Sequence, residues 1–310
     1  MPDIRPATSY IGKIRRLEAK YLAEIDNARL GFRRNALDIL TRYGVRLSNL
    51  YDIRSEISAL ERQISSISRA YIPQVDELVL WYMNQQLGNL RRVGETGLPN
   101  IQQLNLSTYS ERLQIYENTL VSTPAWINNL AKNMETNITR LAIADAEIET
   151  AIDRLLSVSI ADGRASIWRL SGAAAITETA ETTWTAAILA ASGLFKATQT
   201  ITRTEYMKQA IAAIDAVTTD CCLRVHGQTQ PLDKPFELIG TPRFADRIDN
   251  PPFHWSCRTA TSLYTVQMEN KGITTPQMKE AAEAELKARE RTGRREEIWP
   301  AHATSRRNRG

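Results

Sequence analysis

All three cysteines of this 310-residue chain, and two of its three histidines, fall in two short blocks. The first is Thr219-Asp220-Cys221-Cys222-Leu223-Arg224-Val225-His226-Gly227. The second is Asn250-Pro251-Pro252-Phe253-His254-Trp255-Ser256-Cys257-Arg258. Zinc takes thiolates and imidazoles, four at a time, in a closed tetrahedral structural site. Cys222-x3-His226 and His254-x2-Cys257 offer two such pairs, with Cys221 as a substitute for either histidine. Gly227 lets the backbone turn sharply after His226, and Pro251-Pro252 holds the approach to His254 extended. A small module with little apolar material of its own gains from such a clip, because metal-binding free energy acts directly as folding free energy. Two other readings of the cysteines stay open: thiols that only pack, and a disulfide, although three cysteines cannot all pair within one chain.

The same blocks carry a resemblance. Asp-Cys-Cys-x-x-x-His-Gly at Asp220 to Gly227, followed by Pro-Pro-x-His-x-x-Cys-Arg at Pro251 to Arg258, resembles the phage Mu F-like head-morphogenesis (minor head protein) family. Arg203-Thr204-Glu205 is similar to the Arg-Thr-Glu that opens the family's module, so the likeness covers roughly residues 200–264. The family separates its first two cysteines by two residues, whereas Cys221 and Cys222 are adjacent here; Cys222 matches the second. The resemblance implies structural places for Arg203, Glu205, Asp220, Gly227, Pro251, Pro252 and Arg258. It also implies a virion protein that associates with the portal or the major capsid protein and with packaged DNA.

Upstream the pattern is helical. Ile14, Leu17, Tyr21, Ile25, Ala28 and Phe32 recur at steps of three and four, predicting a helix over 9–43 that stops at Gly44. Leu50, Ile53, Ile57, Leu60, Ile64, Ile67 and Tyr71 form a heptad seam, which Pro73 is expected to end or kink. A helix continues over 74–91, another restarts near Ser107, and a long one runs from Trp126 toward Ile160. Such narrow apolar stripes must be buried against other helices, either within the chain or on a partner subunit. Ser171 to Leu194, rich in Ala and Thr, reads as one or two tightly buried helices, and Arg203 to Val217 as a further helix. Periodicity then vanishes; Pro235 to Ile239 and Arg258 to Tyr264 are candidate strands. Thr275-Pro276-Gln277 caps a last helix, Met278 to Arg291.

The expected fold class is mainly α: long antiparallel, coiled-coil-like helices, then a small α+β module stitched by the Cys/His cluster. The expected division is an elongated helical arm over 1–160, the head-morphogenesis module over 161–265, and a C-terminal helix with a basic tail over 266–310. Lys287 to Gly310 holds eight basic residues against three acids, +5 of a chain total of +4, leaving the rest near −1. Arg294, Arg295, Arg306, Arg307 and Arg309 are the candidate DNA contacts, neutralising phosphates without base readout.

No apolar run approaches the ~20 residues of a membrane span, and no apolar signal core follows Met1. Unpaired cysteines favour a reduced, cytoplasmic origin; the resemblance implies that this is a host bacterial cytoplasm, with incorporation into a virion in multiple copies near the portal. There is no phosphate-binding Gly-rich loop, nucleophile elbow or His-Glu-x-x-His, so the chain reads as a non-enzyme. Two alternatives are carried: a zinc-containing nucleic-acid-binding adaptor, and a hydrolase with an exposed zinc and a base such as Asp220 or Glu205.

Overall fold

The computed structural model describes residues 5–44, 50–92, 94, 109–121, 167–192, 195, 205–215, 217–255, 257–270 and 275–292. They are mostly helical, with one small sheet module holding a Cys/His cluster. Helix α1 spans Arg5–Tyr43, α2 Leu50–Arg92, α3 Tyr109–Tyr116 with a π-turn over Glu117–Val121, and α4 Ile167–Ala190. The module follows: β1 Tyr206–Ala212, α5 Asp220–Val225, β2 Thr229–Pro231, β3 Phe236–Glu237, β4 Arg247–Ile248 and β5 Thr259–Thr265. Short α6, Val266–Asn270, and α7, Thr275–Thr292, complete the order. None of the described helices is long and apolar enough to cross a membrane. The predicted helix over 126–160 and the basic tail beyond residue 292 lie outside the described residues.

The chain divides into two compact units that interleave along the sequence. One gathers Met1–Leu17, Pro73–Ile115 and Ile176–Gly310; the other gathers Glu18–Ile72 and Tyr116–Ala175. The divisions read from sequence, at 160 and 265, do not coincide with these boundaries.

In the second unit the predicted stripes are buried at Ile25, Ala28 and Phe32 of α1, with Ile53, Ile57, Leu60 and Ile64 of α2; Ile67 is half-buried, and Ala36 and Leu40 carry the first stripe further. Tyr21 hydrogen-bonds Ser68 at 2.9 Å, and Asn35 Nδ2 donates to Glu56 at 2.8 Å. Gly44 sits at φ 73°, in the left-handed region that ends helices, and donates to the Leu40 carbonyl. Pro73 does not end its helix: α2 runs through it to Arg92.

The first unit is built around the sheet. Its strand order is β2-β1-β5, all antiparallel, with Tyr206 opposite Thr265 and Ala212 opposite Thr259. The expected helix over 203–217 is therefore corrected to a strand over 206–212. Met, Lys, Gln and Ala favour helix, but β1 is paired on both edges and nearly every residue is buried, so the polar–apolar alternation of a half-exposed strand is absent. A two-stranded ladder, β3 with β4, lies in the same module. Phe236 of β3 and Phe253 meet edge-on, 5.8 Å between centroids, in a core shared with Cys221, Cys222, Val225, Phe244 and Cys257. Gly240, at φ 93°, is required twice over: a Cβ there would stand 2.1 Å from an Asp220 carboxylate oxygen.

The free edge of β5 meets helices. Its Thr261 amide donates to Glu181 Oε2 at 3.0 Å, and its Thr261 carbonyl accepts from the Tyr82 hydroxyl and Trp184 Nε1, each at 2.9 Å. Gln86 Oε1 accepts from the Leu263 amide and the Ser262 hydroxyl. Tyr82 stacks on Tyr10 at 3.9 Å and meets Trp184 edge-on at 5.3 Å. From Ala175 to Ile188 the side chains of helix α4 are buried on nearly every side, Thr177, Thr179, Glu181, Thr183 and Thr185 included, as expected of a helix in a core.

Glu181 is fully buried, and its Oε1 has no hydrogen-bond partner among the described residues. Burial pushes its carboxyl up from 4.5 to about 8, against the Thr261 amide, which pulls it down. The group is then neutral in the fold at pH 7 and ionised in the unfolded chain. Its stabilisation is fully present below pH 4.5 and is lost as pH rises to about 8. Glu181→Gln keeps an acceptor for Thr261 and removes the proton. The expected result in thermal melts is that the variant gains on wild type between pH 5 and pH 8, by on the order of 1–3 kcal/mol. Parallel curves for the two proteins would exclude this role.

Candidate metal centre

Thr219 begins the site. With φ −71° and ψ 160° it is the N-cap of α5, its side chain accepting from the Cys222 amide. One turn later the helix has buried Cys221, Cys222 and Leu223. The second half comes from the loop ahead of β5, where buried Pro251 and Pro252, joined by a cis peptide, lead to Phe253 and His254. Cys257 lies two residues before β5, and its carbonyl accepts from Arg15 Nη2 of α1 at 2.7 Å.

Three donor atoms converge. Cys222 Sγ lies 3.0 Å from His254 Nε2 and 3.7 Å from Cys257 Sγ, and all three lie within 4.8 Å of one another. Their residues are 0%, 1% and 4% exposed. The group can hold a metal ion. Zn–S bonds of about 2.3 Å at a tetrahedral angle separate two sulfurs by about 3.8 Å, and a sulfur from a nitrogen by about 3.6 Å. The sulfur pair already has that spacing, and the Cys222–His254 pair needs to open by roughly half an ångström.

Orientation of the imidazole is set from behind. His254 Nδ1 is hydrogen-bonded to the Trp255 carbonyl. A carbonyl can only accept, so Nδ1 carries the hydrogen and Nε2 presents its lone pair to Cys222 and Thr219 whenever the ring is neutral. Holding a ligating histidine by its other nitrogen is how metal sites fix the tautomer. The two thiols are unequal. Burial pushes Cys222 up, but the hydrogen bond from Cys257, the His254 ring and the Thr219 hydroxyl together bring it well below the usual thiol range. Burial and the proximity of Cys222 push Cys257 well above it. A cation bound between the two sulfurs would take the place of the protons they carry.

His226 is corrected out of the ligand set. Its Nδ1 accepts the Ala212 amide at 2.9 Å, so that lone pair is occupied and Nε2 carries the hydrogen. Burial lowers its pKa to about 4, which keeps the ring neutral at physiological pH. It ties α5 to β1, a structural task that spacing alone does not distinguish from ligation. Cys221 is buried and stands outside the converging group. All three cysteines are free, so the disulfide alternative is not what the fold adopts.

The other residues singled out earlier serve the frame. Asp220 pairs with Arg224 at 2.8 Å, and Arg258 pairs with Asp215. Gly227 turns at φ 78°, where a Cβ would stand 3.1 Å from that of Met278 on α7. Glu205 is exposed at the start of β1. Arg203, Arg294, Arg295, Arg306, Arg307 and Arg309 lie outside the described residues. Sequence reasoning passed over Thr219, although a Thr ahead of Asp-Cys-Cys is an N-cap signal. Asp215 was passed over too: its backbone carbonyl accepts from Arg289 Nη2 while its carboxylate holds Arg258.

These positions separate the two adjacent cysteines. Cys222→Ser is expected to lower the affinity for an added metal ion at least tenfold, and Cys221→Ser to leave it unchanged, both read by metal analysis after dialysis against a competing chelator. Retention by Cys222→Ser with loss in Cys221→Ser would reverse the ligand assignment.

Family models, curated proteins and solved structures were all compared with the chain, and none matches.

Proposed function

We propose that the chain is a minor head protein of a tailed bacteriophage, a virion component similar to the Mu F-like head-morphogenesis family, with zinc as a structural clip in its module. The observation that carries this reading is the convergence of Cys222, His254 and Cys257 into one buried group. These are residues of the motif on which the resemblance rests, and Cys222 lies 32 and 35 positions from the other two. Burial, two thiolates and an imidazole held by a carbonyl suit zinc in a structural role.

In this reading the helices form antiparallel, coiled-coil-like arms that grip the portal or the capsid protein. The positions joined across the second unit support the antiparallel sense: residue 21 of α1 meets 68 of α2, and residue 35 meets 56. The arginines of the tail neutralise phosphates of packaged DNA. The protein is made in the bacterial cytoplasm and is present in several copies near the portal.

A hydrolase draws on a different observation. Three protein ligands, rather than four, are what catalytic zinc sites use. Against it, all three ligands are shielded from solvent, and Asp220 is turned to Arg224. The non-enzymatic reading is therefore preferred, as it is over a free-standing nucleic-acid adaptor, since the body of the chain is nearly neutral.

Co-expression with portal and capsid proteins tests the assembly role: co-purification with portal rings or heads is expected, and a protein found only free in the lysate would overturn it. Removing Thr304 to Gly310 takes away three arginines. The expected change is a reduction of the salt-dependence slope of DNA binding by roughly 2–3, with an unchanged melting temperature. Equal binding by full-length and shortened protein at low salt would remove the tail from the mechanism.

A further inference from the structure

Resting on the zinc reading, we infer that the Thr219 hydroxyl is the fourth ligand of the centre. Zinc is four-coordinate in structural sites, and only three Cys or His atoms converge here. The Thr219 hydroxyl reaches into this group. Its Oγ1 lies 2.8 Å from His254 Nε2, in a residue 7% exposed. The N-cap conformation holds it there, with the Cys222 amide 3.5 Å from the same oxygen.

The hydrogen-bond logic points the same way. Because Nδ1 of His254 faces the Trp255 carbonyl, Nε2 of the neutral ring is an acceptor. Without metal, the Thr219 hydroxyl can donate to it. A cation that takes the Nε2 lone pair removes this acceptor and leaves the threonine oxygen beside the ion, lone pairs available. A nitrogen and an oxygen on one tetrahedral zinc stand about 3.3 Å apart. The observed 2.8 Å therefore opens by about as much as the Cys222–His254 contact must.

Charge and competition agree. Two thiolates, a neutral imidazole and a neutral hydroxyl make a zinc centre of zero net charge, whereas a carboxylate would leave an unpaired negative charge in an apolar core. The nearby acids are otherwise engaged: Asp220 with Arg224, Asp215 with Arg258. His226 accepts from Ala212.

The test uses full-length protein and Co2+, whose visible spectrum reports coordination. Wild type and Thr219→Ser are expected to give the same four-coordinate bands. Thr219→Val, which replaces the hydroxyl with a methyl, is expected to shift the ligand-field bands and weaken Co2+ at least tenfold, while the thiolate charge-transfer bands of both cysteines persist. Thr219→Gly, tolerated at an N-cap, is expected to match Val, and it serves if the Val variant does not fold. A Val or Gly spectrum identical to wild type overturns the assignment alone. If wild type binds no Co2+, the zinc reading fails and this one with it.

Discussion

Strand β5 has two edges, and each must find partners for its amides and carbonyls. Toward β1 the ladder does this over seven residue pairs. Toward the helices no strand is present among the described residues, and four side chains take over: Glu181, Tyr82, Trp184 and Gln86. A buried backbone group left without a partner costs on the order of 1–3 kcal/mol, so these contacts decide whether α2 and α4 can lie on the strand at all. They also leave no open strand edge there for another chain to pair with. Cys257 lies two residues ahead of this strand, so the metal centre inherits its position from the same contacts.

The centre itself is a set of groups that satisfy one another in pairs. Cys222 has Cys257, His254 and Thr219 around it; His254 has Trp255 behind it. Buried polar atoms in such a set are stabilising only while each has a partner. A bound cation would exchange those hydrogen bonds for four coordinate bonds without exposing any of the groups. The same folded module can then hold its cysteines in either condition.

Helical segments were legible because their apolar residues keep a period that only burial against another helix explains; Ile25, Phe32, Ile57 and Ile64 are all buried. The cysteine blocks were legible as a site because two rare residue types coincide in them. Less could be read where tertiary pairing outweighed local preference. Tyr206 to Ala212 has helical composition, yet it is a central strand, and nothing within those seven residues announces β2 and β5. His226 sits at a ligand's spacing but serves an amide, a choice made by where Ala212 lies across the fold. Pro73 interrupts a seam but not its helix, since α2 continues through it.

The interleaving of the two units has a consequence for how the chain acquires its form. Arg15 finds its partner carbonyl 242 positions later, and Tyr82 finds Thr261 after 179. During synthesis the opening turns of α1 can stack on α2 once Tyr82 has emerged, but the bonds of Arg15 and Tyr82 to the Cys257 and Thr261 carbonyls must wait until the ribosome has passed β5. The sheet is thus the late arrival, laid onto helices synthesised long before it.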